Sequence, residues 1–503
     1  MLPDDHHNRA FVANARPPNW VNASAPGRYN LVVVGAGAAG LAAAAHAAAL
    51  GAKVAIVERH FVGGDLLATG TVPSKSLTAA ARRAQDVRRC PSVGLAAEVT
   101  NLTDFRGAME RMRRLRAGMS LRTSADHLTD QGVDLYFGDP RFVSRTAMQV
   151  GDVRLDFNYA LIATGARPAP LEVPGHADVL LHTSDNIFTL TERPARLVVL
   201  GAGPVGCELA QAFARLGSEV SILSQEPRLL PQEDLESAAV LSAQFESDGI
   251  KMFLGAEIKR VEAQGGDKVV LFDFEGKGHE ARGDVILVAV GRRPDLGSLN
   301  VEAAGVVRQG DGVQVDDLLR TSNRRIFAAG DVASPIRFVH AAEAQARLAV
   351  ANALLFGRKR ASKLIIPHAI YTDPEIAHVG LHEAEALQRG LAVETLRVPL
   401  GEIDRAVIDG HARGFAQVHY VPGWLGSIVG ATVVGRHAGE IIGEIALAMT
   451  AGLGLRHLSR TVHPYPTESE ILKRLGDAFA RSRRHPKLKE YLSHWFWLER
   501  LLP

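Results

Sequence analysis

Cysteine is nearly absent from this chain of 503 residues, which holds only Cys90 and Cys207. The two are far apart and in no CxxC spacing, so a disulfide scaffold and a zinc ribbon are excluded, and no metal site is expected. An excess of charge of one sign is missing too. The 57 basic residues against 55 acidic ones leave a formal net charge of +2, which gives no reason to expect a nucleic-acid partner. Long apolar runs are missing as well: none reaches the ~20 residues of a membrane span without Gly or charge breaking it. Met1 to Gly27 lacks the basic-then-apolar order of a signal peptide, so a cytoplasmic location is the default expectation. Hydrophobic residues at 47% and charged residues at 22% are ordinary for a soluble globular protein. The length suggests about three domains.

Glycine, by contrast, is plentiful at 48 residues, and many glycines stand in ordered positions. Residues 1–28 read as an irregular arm. Leu31-Val32-Val33-Val34 then reads as a short buried parallel strand. It runs into Gly35-Ala36-Gly37-Ala38-Ala39-Gly40, an Ala-rich helix to about Leu50, and the strand Val54–Val57 ending in Glu58. The same grammar returns about 165 residues later, a domain-sized spacing. There Leu197–Leu200 leads into Gly201-Ala202-Gly203-Pro204-Val205-Gly206, a helix to about Leu216 and the strand Val220–Leu223. Two further buried strands end in glycine, at Thr164-Gly165 and at Gly291. Beyond about residue 365 the glycine fingerprint disappears, which marks a third domain.

A lone GxGxxG is a weak signal, but each of these follows a strand and opens a helix. The first glycine permits the tight turn, the second lets a pyrophosphate approach the backbone, and the third packs helix on strand. Helix N-terminal N–H groups then hold the phosphates. Glu58 stands where an acid accepts the ribose hydroxyls; the equivalent residue of the second unit is Ser224. The second site has therefore lost the acid that would repel a 2′-phosphate, and Arg228 lies four residues on. This leans toward NADPH, while Gln225 and Glu226 keep NADH open.

Further motifs follow in order: Gly63-Gly64-Asp65-Leu66-Leu67-Ala68-Thr69-Gly70-Thr71-Val72-Pro73-Ser74-Lys75, Ala163-Thr164-Gly165, Ala328-Ala329-Gly330-Asp331 and His463-Pro464-Tyr465-Pro466-Thr467-Glu468-Ser469-Glu470. Together they resemble the flavoprotein disulfide reductases over roughly residues 29–475, and most nearly the mercuric-reductase-like branch. The resemblance implies an α/β chain with two Rossmann-like dinucleotide-binding domains, for FAD and NAD(P), plus a C-terminal α+β dimerisation domain. It divides the chain into an arm (1–28), a first FAD part (29–178), the NAD(P) domain (179–298), a second FAD and central part (299–364), the dimerisation domain (365–475) and a basic aromatic tail (476–503). It implies a homodimer. Carried over, Gly35, Gly37, Gly40, Glu58, Gly64, Asp65, Thr164, Gly165, Gly330, Asp331 and His340 serve FAD, while Gly201, Gly203, Gly206, Ser224, Arg228 and Gly291 serve NAD(P). Lys75 is expected beside the flavin N5, paired with Glu208. Tyr465 and Glu470 are expected at the far end of the site.

Two departures from that pattern carry chemical weight. The family places two cysteines at what are here Leu66 and Thr71, and neither residue can form a thiolate or a mixed disulfide. Tyr465 occupies the position of the family's acid/base histidine, and a phenol of pKa near 10 is a poor base at neutral pH. Mercury(II), glutathione-type and lipoamide-type reductions through thiolates are thereby excluded. What remains is a small-molecule acceptor that takes electrons directly from reduced flavin, most simply a quinone. The alternatives are a soluble pyridine-nucleotide transhydrogenase and a flavin-binding scaffold or sensor without turnover. Arg106, Arg111, Arg113, Arg114, Arg116 and Arg122 read as a solvated helix face. The tail, with Tyr491, Trp495, Phe496 and Trp497 among Lys and Arg, reads first as a helix packed on its own dimer. Its second reading is a peripheral contact with the inner face of an anionic membrane.

Overall fold

The computed structural model describes residues 1–96, 103–483 and 488–501, with the side chains of 488–490 left aside. The tail residues Arg484 and Lys487 lie outside the described residues. The chain forms two units, one of residues 1–233 and 242–364, the other of residues 234–241 and 365–503.

In the first unit the strand Tyr29–Val34 sits inside a seven-stranded sheet. It pairs in parallel with Val54–Glu58 on one side (Leu31 opposite Val54) and Val153–Ile162 on the other. Val32, Val33 and Val34 have no exposed surface, as expected of a strand covered on both faces. The helix Ala38–Ala49 buries Ala39, Ala43, Ala44 and Ala47. They share a core cluster with Ala342, Ala346, Ala349 and Ala353 of the helix Val339–Leu354. Methyl side chains on both helices let them pack closely.

The second glycine unit builds its own parallel sheet, ordered Lys251–Leu254, Glu219–Ser224, Arg196–Leu200 and Val285–Val288. A three-stranded antiparallel sheet, from Glu257 to Gly283, accompanies it. In the second unit of the chain, five antiparallel strands run in the order Pro367–Ile370, Glu375–Gly380, Ser427–Gly435, Phe415–Val421 and Glu394–Pro399. The helices Ala438–Thr450, Leu455–Arg460 and Glu470–Ser482 bury Ile441, Ile445, Leu458, Leu472 and Phe479 in the same core cluster as this sheet.

Two expectations need correction. The arm is not irregular throughout: His6–Ala15 is a helix, capped by the Asp5 carboxylate, which accepts the Asn8 N–H at 2.8 Å. Its buried residues are Asn8, Phe11 and Ala15, a narrow stripe whose stabilisation comes from what it packs on. Nor is the arginine-rich helix, Phe105–Ser120, solvated all round. Arg113 is 6% exposed and Arg116 only 2%. Both turn inward because the arm helix supplies partners, Asp5 for Arg113 and Asn8 for Arg116.

Candidate active site

The two glycine cradles are built by the same contacts. Gly35 donates its N–H to the Val57 carbonyl at 2.8 Å, and Gly201 donates to Leu223 at 2.8 Å. Both carry positive φ, 99° and 113°. A Cβ on Gly40 would lie 1.8 Å from the Gly35 carbonyl oxygen, and one on Gly206 would lie 2.2 Å from that of Gly201. Around Gly37 and Gly203 nothing approaches a built Cβ within 4 Å, so these backbones are open where a pyrophosphate must come close. A Cβ on Gly64 would lie 2.9 Å from the Gly37 Cα, which puts the Gly64-Asp65 turn at the first cradle.

Glu58 is 8% exposed and accepts the N–H groups of Ala36 (2.7 Å) and His60 (2.6 Å). Burial pushes its carboxyl above the ordinary range, against those bonds and the nearby Arg167 and Arg59. The Thr164 hydroxyl is buried without a hydrogen-bond partner and lines a pocket shared by Gly35, Glu58, Arg59 and Arg167. An unpaired buried hydroxyl beside an acid suited to ribose, under an open glycine turn, fits the adenosine end of FAD. Gly165, Gly291 and Gly330 all carry positive φ. Gly330 donates its N–H to Gln345 at 3.0 Å, next to Asp331, whose carboxyl burial raises despite Arg292 and Arg337. His340 is exposed near the start of the helix Val339–Leu354, and its ring stacks on Phe338.

Arg292 is a residue that motif reading missed. It pairs with Asp65, donates to the Ala166 carbonyl and stands 3.8 Å from Asp331. Two carboxylates expected to serve the flavin are therefore held by one guanidinium. The available signal was its position directly after Gly291, at the mouth of a buried strand. In the second cradle the Ser224 hydroxyl accepts the Glu226 N–H at 3.1 Å, and Arg228 donates to the Pro231 carbonyl at 2.6 Å.

Lys75 Nζ lies 2.6 Å from Glu208 Oε2, joining the helix Thr71–Arg89 to the helix Pro204–Arg215. Glu208 is 5% exposed. Thr71, one turn upstream of Lys75, and Leu66, in the preceding short helix Gly64–Leu67, are both half-buried. Neither cysteine joins them. Cys207 is fully buried, and burial with the neighbouring Glu208 pushes its thiol up. Cys90 ends the far side of the same helix.

In the second unit Tyr465 is exposed and its hydroxyl donates to Asp404 at 2.7 Å, which raises the phenol further. Glu470 does not pair with it but with Arg474, at 3.1 Å. The histidine–glutamate contact that is present joins His463 Nε2 to Glu444 at 3.2 Å.

Asp234, His378 and His382 bring one potential ligand atom each within 4.8 Å of the others. The imidazoles stack, with centroids 3.7 Å apart and planes 18° apart. A ring nitrogen's lone pair lies in the ring plane, so near-parallel stacked rings do not aim at a common point. The contacts close among themselves instead: the Thr432 hydroxyl donates to Asp234 at 2.7 Å, and His382 Nδ1 is 3.0 Å away. Burial pulls His378 down to about 3. The cluster is a hydrogen-bonded packing of that unit.

Paired dinucleotide cradles with a half-buried ammonium–carboxylate bridge joining the helices Thr71–Arg89 and Pro204–Arg215 define a flavin- and pyridine-nucleotide-dependent oxidoreductase. Residues 29–346 match the model described as pyridine nucleotide-disulphide oxidoreductase, and residues 366–475 match the dimerisation domain of that description. The chain belongs to this family. It is 34% identical over 446 residues to a mercuric reductase of Bacillus cereus, covering 88% of this chain and 70% of that one. It is 34% identical over 464 residues to a dihydrolipoyl dehydrogenase of Thermus scotoductus, covering 91% and 98%. Among solved structures, LpdA from Mycobacterium tuberculosis superposes with a TM-score of 0.82 at 26% identity, covering 90% of this chain and 99% of that one. The protein is thus an FAD-dependent NAD(P)H oxidoreductase, and its dimerisation domain indicates a homodimer. Among the described residues no helix is long and apolar enough to cross a membrane.

Proposed function

We propose that the enzyme carries two electrons from NAD(P)H to a flat, lipophilic acceptor of the quinone class, without any thiol step. The observation that carries this reading is the Lys75–Glu208 bridge at 2.6 Å beside Leu66 and Thr71, where thiols would have to stand. FAD, held by Gly35, Gly37, Glu58 and Asp331, would supply the two-electron chemistry between NAD(P)H and the acceptor. The protein's part is to bind, orient and charge the site. Glu208 fixes the Lys75 ammonium, which sets a positive charge where negative charge develops. Leu66 and Thr71 leave an apolar, thiol-free surface. Tyr465, whose one hydroxyl hydrogen is donated to Asp404, does not serve as a base. Ser224 in place of an acid favours NADPH over NADH. The test is an acceptor screen with purified enzyme and NADPH. Turnover with a benzoquinone and none with a disulfide supports the proposal; disulfide reduction without quinone turnover overturns it.

The tail extends this reading. The helix Leu488–Glu499 exposes Tyr491, Trp495, Phe496, Trp497 and Leu498, each by half or more. With the basic residues of the tail, this surface suits the headgroup region of an anionic bilayer, where lipophilic quinones reside. Co-sedimentation of the full chain with anionic vesicles, lost in a chain ending at Arg483, supports the contact. Equal behaviour of the two chains removes it.

A further inference from the structure

The Leu66–Thr71 segment has no covalent link across it, yet it must hold Lys75 in register. We propose that the N-terminal arm helix is what holds it. Arg116 and Asn8 are then positioning residues for the electron-transfer site.

Arg116 is the hub. One of its terminal nitrogens donates to the Ala68 carbonyl at 2.7 Å, inside the segment, and the other donates to Asn8 Oδ1 at 2.6 Å, in the arm helix. Asn8 is 1% exposed, and its amide also donates to the Pro3 carbonyl at 2.7 Å. The Phe11 ring lies 5.1 Å from the guanidinium carbon. A buried guanidinium is held in place only where its donors are met. Ala68 and Asn8 take the two terminal nitrogens, while the Nε is buried without an acceptor; a shift of either partner would strand a further buried donor.

Apolar packing follows the same line. Phe11 and Ala15 of the arm form one buried cluster with Leu67, Ala68, Val72 and Ala117, and Leu66 packs on its edge. The arm also grips the turn that follows Glu58. The Ala15 carbonyl accepts the Val62 N–H at 2.9 Å, and Arg16 donates to the carbonyls of Arg59 and His60. One helix therefore sets both the chain leaving the ribose acid and the chain entering Lys75, which stands in the opening turns of Thr71–Arg89. Displacing a catalytic group by about 1 Å can slow a reaction about 10²-fold.

The experiment uses the full-length holoenzyme and reads the rate at which NADPH bleaches the bound flavin in a stopped-flow cell. That half-reaction needs no acceptor, so its outcome is independent of the quinone proposal. Asn8→Ala is expected to keep one FAD per chain yet slow bleaching by about tenfold or more. Asn8→Asp, which keeps an oxygen for Arg116, is expected to restore most of the rate, and Arg9→Ala on the exposed side of the helix is expected to leave it unchanged. Should Asn8→Ala fail to fold, Asp5→Asn loosens the same helix from its outer end and should slow bleaching in the same sense. Wild-type bleaching in these variants overturns the proposal. So does a rate loss that only follows FAD loss and that Asn8→Asp does not repair.

Discussion

Gly37 and Gly40 lie three residues apart in one turn, and the structure gives them different jobs that substitution should separate. An alanine Cβ at position 40 would meet the Gly35 carbonyl oxygen at 1.8 Å. Ordinary contact begins near 3.4 Å, so helix and turn must part by about 1.5 Å, at the cost of roughly 1–3 kcal/mol for overpacking, or more against rigid backbone. An alanine at position 37 meets nothing within 4 Å, and its φ of −79° suits any residue. Its only effect is to put a methyl where the pyrophosphate must approach. Losing one charge-assisted hydrogen bond there costs about 1.5–3 kcal/mol, or about 10–150-fold in FAD affinity. Thermal denaturation of FAD-stripped protein, with FAD titration of the same samples, reads the two effects separately. Gly40→Ala is expected to lower the melting temperature of the stripped protein. Gly37→Ala is expected to leave it alone and weaken FAD. The mirror pair should act on the other cofactor, with Gly203→Ala raising the KM for NADPH while FAD stays bound. Full FAD affinity in Gly37→Ala, or an unshifted melting temperature in Gly40→Ala, would refute the assignment.

Three further outcomes are expected. Lys75→Met should slow flavin reduction by NADPH about 10²-fold, the loss of one preorganised charged donor. It should also destabilise the fold by removing the charge 2.6 Å from the buried Glu208; adding Glu208→Gln should recover melting temperature but not rate. Replacing Cys90 and Cys207 together by alanine should leave NADPH oxidation with a quinone within about twofold, because burial keeps the Cys207 thiol protonated and thiolate is the reactive form; a loss of turnover without loss of FAD would restore a thiol to the mechanism. The Asp5 carboxyl, although burial opposes it, is held below its usual range by the Asn8 N–H and Arg113. A depressed carboxyl stabilises the fold fully above the ordinary value of about 3.9 and loses that contribution as pH falls through the folded value. The melting-temperature gap between wild type and Asp5→Asn should therefore be present at pH 7 and close below about pH 4.

Much of the fold was legible because glycine spacing, strand length and turn chemistry agreed at each cradle. Gly35, Gly40, Gly201 and Gly206 are fixed by local sterics, and local sterics can be read from a single stretch of sequence. The Lys75–Glu208 bridge spans helices distant in the chain and was legible only through resemblance. The arm helix was not legible. Its polar stretch around Asn8 and Phe11 gains stability from Arg116 and Leu67, far away in sequence, and a buried stripe of Asn8, Phe11 and Ala15 gives little periodic apolar signal. For the same reason Arg113 and Arg116 passed for solvated charges. A basic run on a helix says nothing of which members meet a buried acceptor. Arg292 escaped notice because its two carboxylate partners come from segments on either side of it in the chain. Glu470 was placed with Tyr465 by position in a motif, whereas Arg474 one turn on offers a closer opposite charge.

A two-electron flavin site with no dithiol in series is the feature on which the proposed chemistry turns. Anaerobic titration of the holoenzyme with NADPH tests it most directly. Full bleaching of the flavin by about one equivalent, with no long-wavelength thiolate–flavin absorbance at any point, is the predicted result. A persistent long-wavelength band, or a second equivalent taken up before the flavin bleaches, would contradict it.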